Sequence, residues 1–470
     1  VEGDAVDSAL FGWRAVRDDA NIVGPLAIAV PGTVAGLALA AERYGTLPLR
    51  ELIRPAVRLA RDGFPVGWHT SLTIAQDLAL LNRFPATRAI FTDDGRPWTM
   101  LTGLTPTRLV QADLARTLDA LADDGWETFY RGDLARAIVD GVRGMGGLLA
   151  DEDLRDYAVR VGPALMADYR GHAVATAQAP SGGTTLLESL RLMEQANLAA
   201  LGHNTADALH HLIESFRQAF VDRFAYLADP RFVQIPEAAL LTEGYARSRA
   251  AAFGPSARPI VSPGGRDELG VRHALARSVP AYGAGEHTTH VSVVDARGNA
   301  VALTQTLLSS WGSRVVAPGT GVLLNNGMMW FDPEPGRPNS VAGGKRPLAN
   351  MTPALVLEND AVRLAVGAMG GRKIINAVTQ VIANVVDYGM GVQAAITAPR
   401  VDCSTAVTLV SSRINPTVVA ALERRGHALQ AIREDIGSVP FASPVGILRA
   451  TDGTLHGGAN PYYPAMAIGL

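Results

Sequence analysis

The stretch Glu286-His287-Thr288-Thr289-His290-Val291-Ser292-Val293-Val294-Asp295 decides how this chain is read. His290–Val294 predicts a strand, Asp295-Ala-Arg-Gly298-Asn299 a turn, and Ala300-Val-Ala-Leu-Thr-Gln-Thr306 a returning strand. Together they make a hairpin. Ahead of it, Gly254 to Gly285 is rich in glycine, proline, serine and arginine without a sustained period, which predicts an exposed loop and a boundary. Two readings of the threonines at this junction stay open. In one, they are strand formers that open a hairpin. In the other, Thr288 is a nucleophile. A threonine hydroxyl holds its proton too tightly to attack at neutral pH without an adjacent base. A free N-terminal threonine supplies that base itself, because an α-amino group with a pKa of about 7.7–8.0 is partly neutral there. A cut between His287 and Thr288 would place nucleophile and base on one residue.

Outward from the hairpin, the N-terminal side reads as mostly helical. Apolar residues at helical spacing predict helices over Val34–Glu42, Leu49–Asp62, Leu109–Leu121, Asp133–Arg143, Thr184–Leu198 and Ala206–Leu227. A short strand is expected at Ala173–Ala177, before the turn Pro180-Ser181-Gly182-Gly183. On the C-terminal side, strands are expected at Val362–Val366, ended by Gly367, and near Val445–Leu448 and Thr454–His456. Helices are expected over Asn376–Tyr388 and Thr417–Arg425. Paired strands flanked by helices predict sheet layers covered by helices.

Composition narrows the function. With 48% hydrophobic and 19% charged residues, the 470-residue chain is not disordered and buries a large core. Its length allows about three domains or one large α/β unit. The net charge of −3, from 42 basic and 45 acidic residues, argues against a nucleic-acid partner. No run of 18 apolar residues exists, so no membrane-spanning helix is expected. The single cysteine, Cys403, forbids an intrachain disulfide and a cysteine-based zinc site. The N-terminus lacks a starting methionine and a signal-peptide pattern, which predicts a processed or trimmed chain and leaves the compartment open: periplasmic or secreted if a signal was removed, otherwise cytoplasmic. The sequence contains no G-x-S-x-G, no G-x-x-x-x-G-K-[ST] and no H-E-x-x-H. His210, His211 and Glu214 sit one helical turn apart, but a partly exposed helix face explains them better than a metal, and no metal is expected.

Thr288-Thr-His-x-Ser-Val-Val-Asp-x-x-Gly-Asn-Ala-Val-Ala-x-Thr304-x-Thr306 resembles the signature of the γ-glutamyltranspeptidase family. Pro31-Gly-Thr-Val-Ala-Gly36, Leu59-Ala-Arg-Asp-Gly-Phe64, Phe129-Tyr130, Gly146-Gly-Leu148, Pro180-Ser-Gly-Gly183, Asp229-Pro230, Leu323-Leu-Asn-Asn326, Lys345-Arg-Pro347 and Gly370-Gly371 fall in the family's order, from about residue 25 to the end. The resemblance implies an N-terminal-nucleophile hydrolase with a four-layer αββα sandwich, an α/β fold. It implies self-cleavage before Thr288 into a large portion, 1–287, and a small portion, 288–470, that stay together as a heterodimer. It implies a small-molecule amide substrate, no cofactor and no membrane partner. By the same resemblance Thr288 is the nucleophile, Thr306 the hydroxyl bonded to it, and Gly370 and Gly371 the oxyanion hole. Glycine suits that role, because backbone N–H groups approach a developing oxyanion best without a side chain in the way.

The departures concern substrate. Where the transpeptidases hold asparagine, glutamine and aspartate for the glutamyl head, this chain has Leu308, Gly327 and Trp330; where they hold two serines, it has Ala349 and Asn350. The stretch Asn339–Lys345 is short, so the family's lid loop is expected to be absent. The family's carboxylate-clamping arginine aligns with nothing in Ala5–Arg17 except Arg14, a weak match, and Arg372 beside the oxyanion glycines is a candidate substitute. The family's glycine-rich opening segment also has no counterpart, which suggests that a piece is trimmed, disordered or not included. Three functions are compatible with this pattern: an amidohydrolase of altered acyl preference, favouring hydrolysis over transfer to an amine; a true glutathione hydrolase and γ-glutamyltransferase with a rebuilt pocket; and an uncut, inactive scaffold.

Overall fold

The computed structural model describes residues 16–98, 107–259, 261–265, 269, 286–436 and 440–469. The chain divides into two compact units: a helical one, Val16–Gly162 with Thr306–Met329, and a sheet-based one, Pro163–Gln305 with Trp330–Leu470.

In the helical unit, Thr33–Tyr44, Leu49–Asp62, Ala112–Asp123 and Asp133–Gly144 are helices close to their expected bounds. Trp68–Leu81 and Pro85–Phe91 are helices that the spacing did not disclose. The first carries only His69 and Asp77 as titratable residues, so its apolar stripe has little polar contrast. Two-residue strands, β1 (Phe64–Pro65) and β2 (Arg108–Leu109), pair antiparallel. One core gathers Phe129, Tyr130, Ile138, Val139 and Val142 with Val315 and Leu324; a second gathers Val66, Ile74, Leu81 and Phe91 with Trp311.

The sheet unit contains β3 (Leu165–Tyr169), β4 (His172–Thr176), β5 (Glu286–Val294), β6 (Ala300–Ser309, whose last residues belong to the helical unit), β7 (Ala354–Glu358), β8 (Ala361–Met369), β9 (Val401–Asp402), β10 (Thr408–Ser411), β11 (Leu429–Ile432), β12 (Ser443–Arg449) and β13 (Leu455–Ala459). Six form an antiparallel sheet in the order β13-β12-β8-β7-β4-β3. Strand alternation gives this sheet two faces. Leu364, Val366 and Ala368 of β8 and Leu448 of β12 join the core formed with the helices Gly183–Met193, Ala206–Tyr226 and Lys373–Val386. The other face receives the β5–β6 hairpin, with β5 packed on β8 and β12. Helix, sheet and hairpin are successive layers of an α/β sandwich.

Two bounds differ from expectation for physical reasons. Val362–Val366 does not stop at Gly367; β8 runs on to Met369, because Gly367 is an in-strand gap filled by a ring from β5. The helix expected over Thr184–Leu198 stops at Met193, and Leu198–Leu201 starts anew under an Asn197 cap that accepts from the Ala200 amide at 3.1 Å. The expected loop Gly254–Gly285 lies largely outside the described residues.

Candidate active site

Thr288 is the third residue of β5 and 9% exposed. It lines a cavity of about 300 Å³ together with His290, Met369, Ser443, Val445 and the segment Tyr463–Ala467. Among the described residues around this cavity, none is Asp, Glu, Lys or Arg. The preceding residue, His287, places its Nδ1 3.4 Å from the Tyr463 hydroxyl, which burial pushes up to about 12.

His290 fixes the height of β5 over the sheet. A Cβ at residue 367 would lie 2.2 Å from its Cε1, so the imidazole occupies the space that glycine leaves. Its Nδ1 is 2.7 Å from Thr304 Oγ1 and its Nε2 2.9 Å from Ser292 Oγ. Burial lowers its pKa to about 4, so it is neutral at pH 7, one nitrogen donating and the other accepting. Sequence reading included His290 in the motif without giving it a role, although two hydroxyls spaced to meet one ring were visible at Ser292 and Thr304.

Thr288 lies two residues before His290, and Met369 two residues after Gly367. Each two-residue step covers roughly 7 Å along a strand, and both steps end at the same cavity. Gly370 and Gly371 follow at once, with φ of +125° and +64°, before Arg372 caps the helix Lys373–Val386. A Cβ on Gly370 would lie 2.8 Å from Ala442 Cα. Glycine is therefore required there by both torsion and space.

Ala349 and Asn350 are buried and held from behind by Arg223, itself fully buried. The Arg223 guanidinium donates to Ala349 O at 2.6 Å and to Asn350 Oδ1 at 2.9 Å, and the Ala349 amide donates to Pro180 O at 2.7 Å. Arg372 lies over the Phe224 ring at 5.5 Å and donates to Ser404 O at 3.4 Å; it does not line the Thr288 cavity. In the Asn339–Lys345 stretch, the Lys345 ammonium donates to Ser340 O at 3.0 Å and closes the short turn on itself.

In the helical unit, Thr306 Oγ1 accepts from the Leu308 amide at 2.8 Å. Leu308 is buried at φ +80°, an unusual torsion for a branched residue. The Gly327 amide donates to Asn325 Oδ1 at 2.8 Å, and a Cβ at 327 would lie 2.6 Å from Ala29 Cβ, so a glutamine does not fit without displacement. Trp330, in the sheet unit, is buried, and its carbonyl accepts from Asn339 at 2.7 Å. Arg14 lies outside the described residues.

His210, His211 and Glu214 do not form the partly exposed helix face that the spacing suggested; only His211 is half-buried. His210 is buried against His427, with Nδ1 and Nε2 2.7 Å apart; Glu214 is fully buried and paired with Arg217 and Arg258; His211 Nε2 meets Leu192 O at 3.0 Å. Sequence reading also missed Tyr463, whose only signal was an aromatic pair between two prolines, Pro461-Tyr-Tyr-Pro464.

Comparison with known proteins adds an independent line. A family model described as Gamma-glutamyltranspeptidase matches residues 4–469. The Acylase ACY 1 proenzyme of Pseudomonas sp. (strain V22) is 36% identical over 415 residues, covering 88% of this chain and 71% of that protein. The Glutathione hydrolase proenzyme of Escherichia coli (strain K12) is 35% identical over 464 residues, covering 94% and 75%. Among solved structures, a cephalosporin acylase from Bacillus halodurans superposes with a TM-score of 0.81 at 28% identity, covering 94% of this chain and 78% of that one.

Proposed function

Because the chain belongs to the γ-glutamyltranspeptidase family, we propose that its amidohydrolase and acyltransferase chemistry runs through Thr288. In this reading the Thr288 hydroxyl first attacks the His287 carbonyl, and water opens the resulting ester to give fragments 1–287 and 288–470. The freed α-amino group then takes the hydroxyl proton as Thr288 attacks a substrate amide. The tetrahedral oxyanion is held by the Gly370 and Gly371 amides, the protonated amine leaves, and water or an acceptor amine releases the acyl group. Thr306 polarises the nucleophile; it leaves the same face of β6 as Thr304, the residue that bonds His290. One observation carries the reading: Thr288 and Met369, the residue joined to the glycine pair, line one cavity.

The same reading makes the acyl group bulkier than a glutamyl head or differently charged, with hydrolysis favoured over transfer. Leu308 and Trp330 cannot replace paired donors and acceptors, and each polar substrate group left unmatched costs about 1–3 kcal/mol. The likeness to proteins named acylase agrees with this preference; the likeness to a protein named glutathione hydrolase keeps γ-glutamyl amides as the second reading. Intact-mass measurement, followed by kinetics on an amide panel that includes glutathione, tests both parts. Two fragments from wild type and one from Thr288→Ala are expected, with glutathione a poor substrate. A wild-type chain that stays whole defeats the catalytic reading. Glutathione as good as any other amide defeats the substrate preference.

A further inference from the structure

One face of the helix Ala206–Tyr226 carries His210, Glu214, Gln218, Asp222 and Tyr226, a polar residue at every fourth position, and all five are buried. Residues four apart stack along one helix face. A segment of the chain runs beside them in the same order. His210 Nε2 meets Gly254 O at 2.8 Å, and Glu214 and Gln218 accept from the Arg258 guanidinium. Gln218 also donates to Ser262 O at 3.1 Å, Asp222 Oδ1 accepts from the Gly264 amide at 2.7 Å, and the Tyr226 hydroxyl donates to Gly264 O. The segment therefore supplies further partners to buried polar groups that are also bonded elsewhere, and each donor or acceptor left unmatched without it would cost about 1–3 kcal/mol.

We propose that this ladder is the positioning device for self-cleavage: by holding residues 254–259 and 261–264 it fixes the upstream end of the chain that leads to the His287–Thr288 bond, with Asp222 as its central group. The inference rests on the reading that the chain cuts itself before Thr288. Fixing one end of a connecting segment narrows the conformations through which the scissile carbonyl meets its nucleophile. Asp222 is central because four groups converge on it. Gly264, Tyr245 at 2.7 Å and Gln218 at 2.8 Å donate to its oxygens, and the buried Glu188 carboxyl faces it. Burial and the neighbouring Asp222 push the Glu188 carboxyl well above the carboxylate range, and burial raises Asp222 as well. The ladder also reaches beyond the cut. His427 bonds His210, and Arg425 O accepts from the Ala257 amide at 2.7 Å, so one helix face binds chain from both sides of the proposed cleavage.

The test follows the first-order conversion of freshly purified full-length precursor into two fragments, for wild type, Asp222→Asn and Gly264→Ala. The second variant disturbs the ladder from the segment side, since a Cβ at 264 would lie 2.4 Å from the Tyr245 hydroxyl. Both are expected to slow conversion by roughly tenfold or more, while kcat and KM of the fraction that does cleave stay within about twofold of wild type. Unchanged conversion rates in cleaving protein overturn the inference. So does a kcat that falls in step with the conversion rate, because that marks a general structural defect. If Asp222→Asn does not fold, Gly264→Ala decides. A wild-type chain that never cleaves defeats the self-cleavage reading itself, which is a separate result.

Discussion

The two faces of the β8–β12 strand pair are built from opposite materials. On the hairpin side, the residues are Thr288, a neutral His290, Gly367, Met369, Ser443 and Val445. On the helical side, beyond the apolar layer, buried ionisable residues are frequent: Glu188, Glu214, Asp222, Arg223, Arg400 and Asp402 are each at most 1% exposed. A weak hydroxyl nucleophile and a partly neutral amine work best away from fixed charges, which would shift the amine's pKa or compete for its proton. Rigid attachment of chain segments has the opposite requirement, because buried charges tolerate few arrangements and so fix one. The contrast agrees with the proposed chemistry at the first face and the proposed registration at the second.

The largest effect expected is at the first face. Thr288→Ala should abolish both fragment formation on denaturing gels and turnover of every amide tested; residual turnover would mean that another hydroxyl is the nucleophile. Next is Gly370→Ala. Alanine keeps the backbone N–H, but its Cβ, at 2.8 Å from Ala442 Cα, and the φ of +125° displace that amide; if it is an oxyanion donor, kcat should fall by up to about 10²–10³-fold, with a normal circular-dichroism spectrum showing that the fold is kept.

Acid should act on both faces through two histidines. Burial holds His290 and His427 at about 4, below the ordinary value of about 6.5. The unfolded chain therefore binds these protons first as pH falls. Their contribution is fully present above about pH 6.5 and is lost progressively down to about pH 4, at most on the order of 3 kcal/mol each. His427 is surrounded by His210, Glu214, Arg217 and Arg425, of which only Glu214 opposes the loss. Denaturant melts at pH 7 and pH 4.5 check this, and His427→Gln should flatten the profile. A smaller effect is expected from Gly367→Ala, about 2 kcal/mol from crowding the His290 ring, read as a lower denaturant midpoint. The smallest, a net loss of about 1 kcal/mol, is expected from Leu308→Asn: asparagine adopts positive φ more readily than leucine, but at this buried position it gives up apolar packing and buries an amide. A rise in melting temperature would show instead that torsional strain outweighs Leu308 packing.

The hairpin face was legible because its signals are local: β-branched alternation and an Asp-to-Asn turn lie in consecutive residues at 288–306, and the glycine pair at 370–371 is itself two adjacent residues. Strand β7 was equally legible and was missed. Asn359 and Asp360 take φ of +49° and +62°, and they join Glu358 to Ala361 as a two-residue hairpin turn flanked by alternating residues. The helical face was not legible. Periodicity identified the helix Ala206–Tyr226 almost to its last residue, yet a polar stripe facing water and one facing another stretch of backbone have the same spacing. Nothing local tells His210 that it will meet His427, 217 positions away. Of the substrate candidates, sequence reading identified which side chains differ from the family but not their surroundings. The space at Gly327 was closed by Ala29, a residue almost 300 positions distant.

Gly367 and His290 also bear on how this protein can diverge. A side chain at 367 has no room while the ring is present, and removing the ring alone leaves a hollow beneath β5. Single-step exchange at either position passes through a crowded or an empty intermediate, and only a paired exchange keeps the spacing between hairpin and sheet. In a library that randomises both positions, survivors are therefore expected to be correlated. Glycine should accompany a ring at 290, and a larger residue at 367 should accompany a small one at 290.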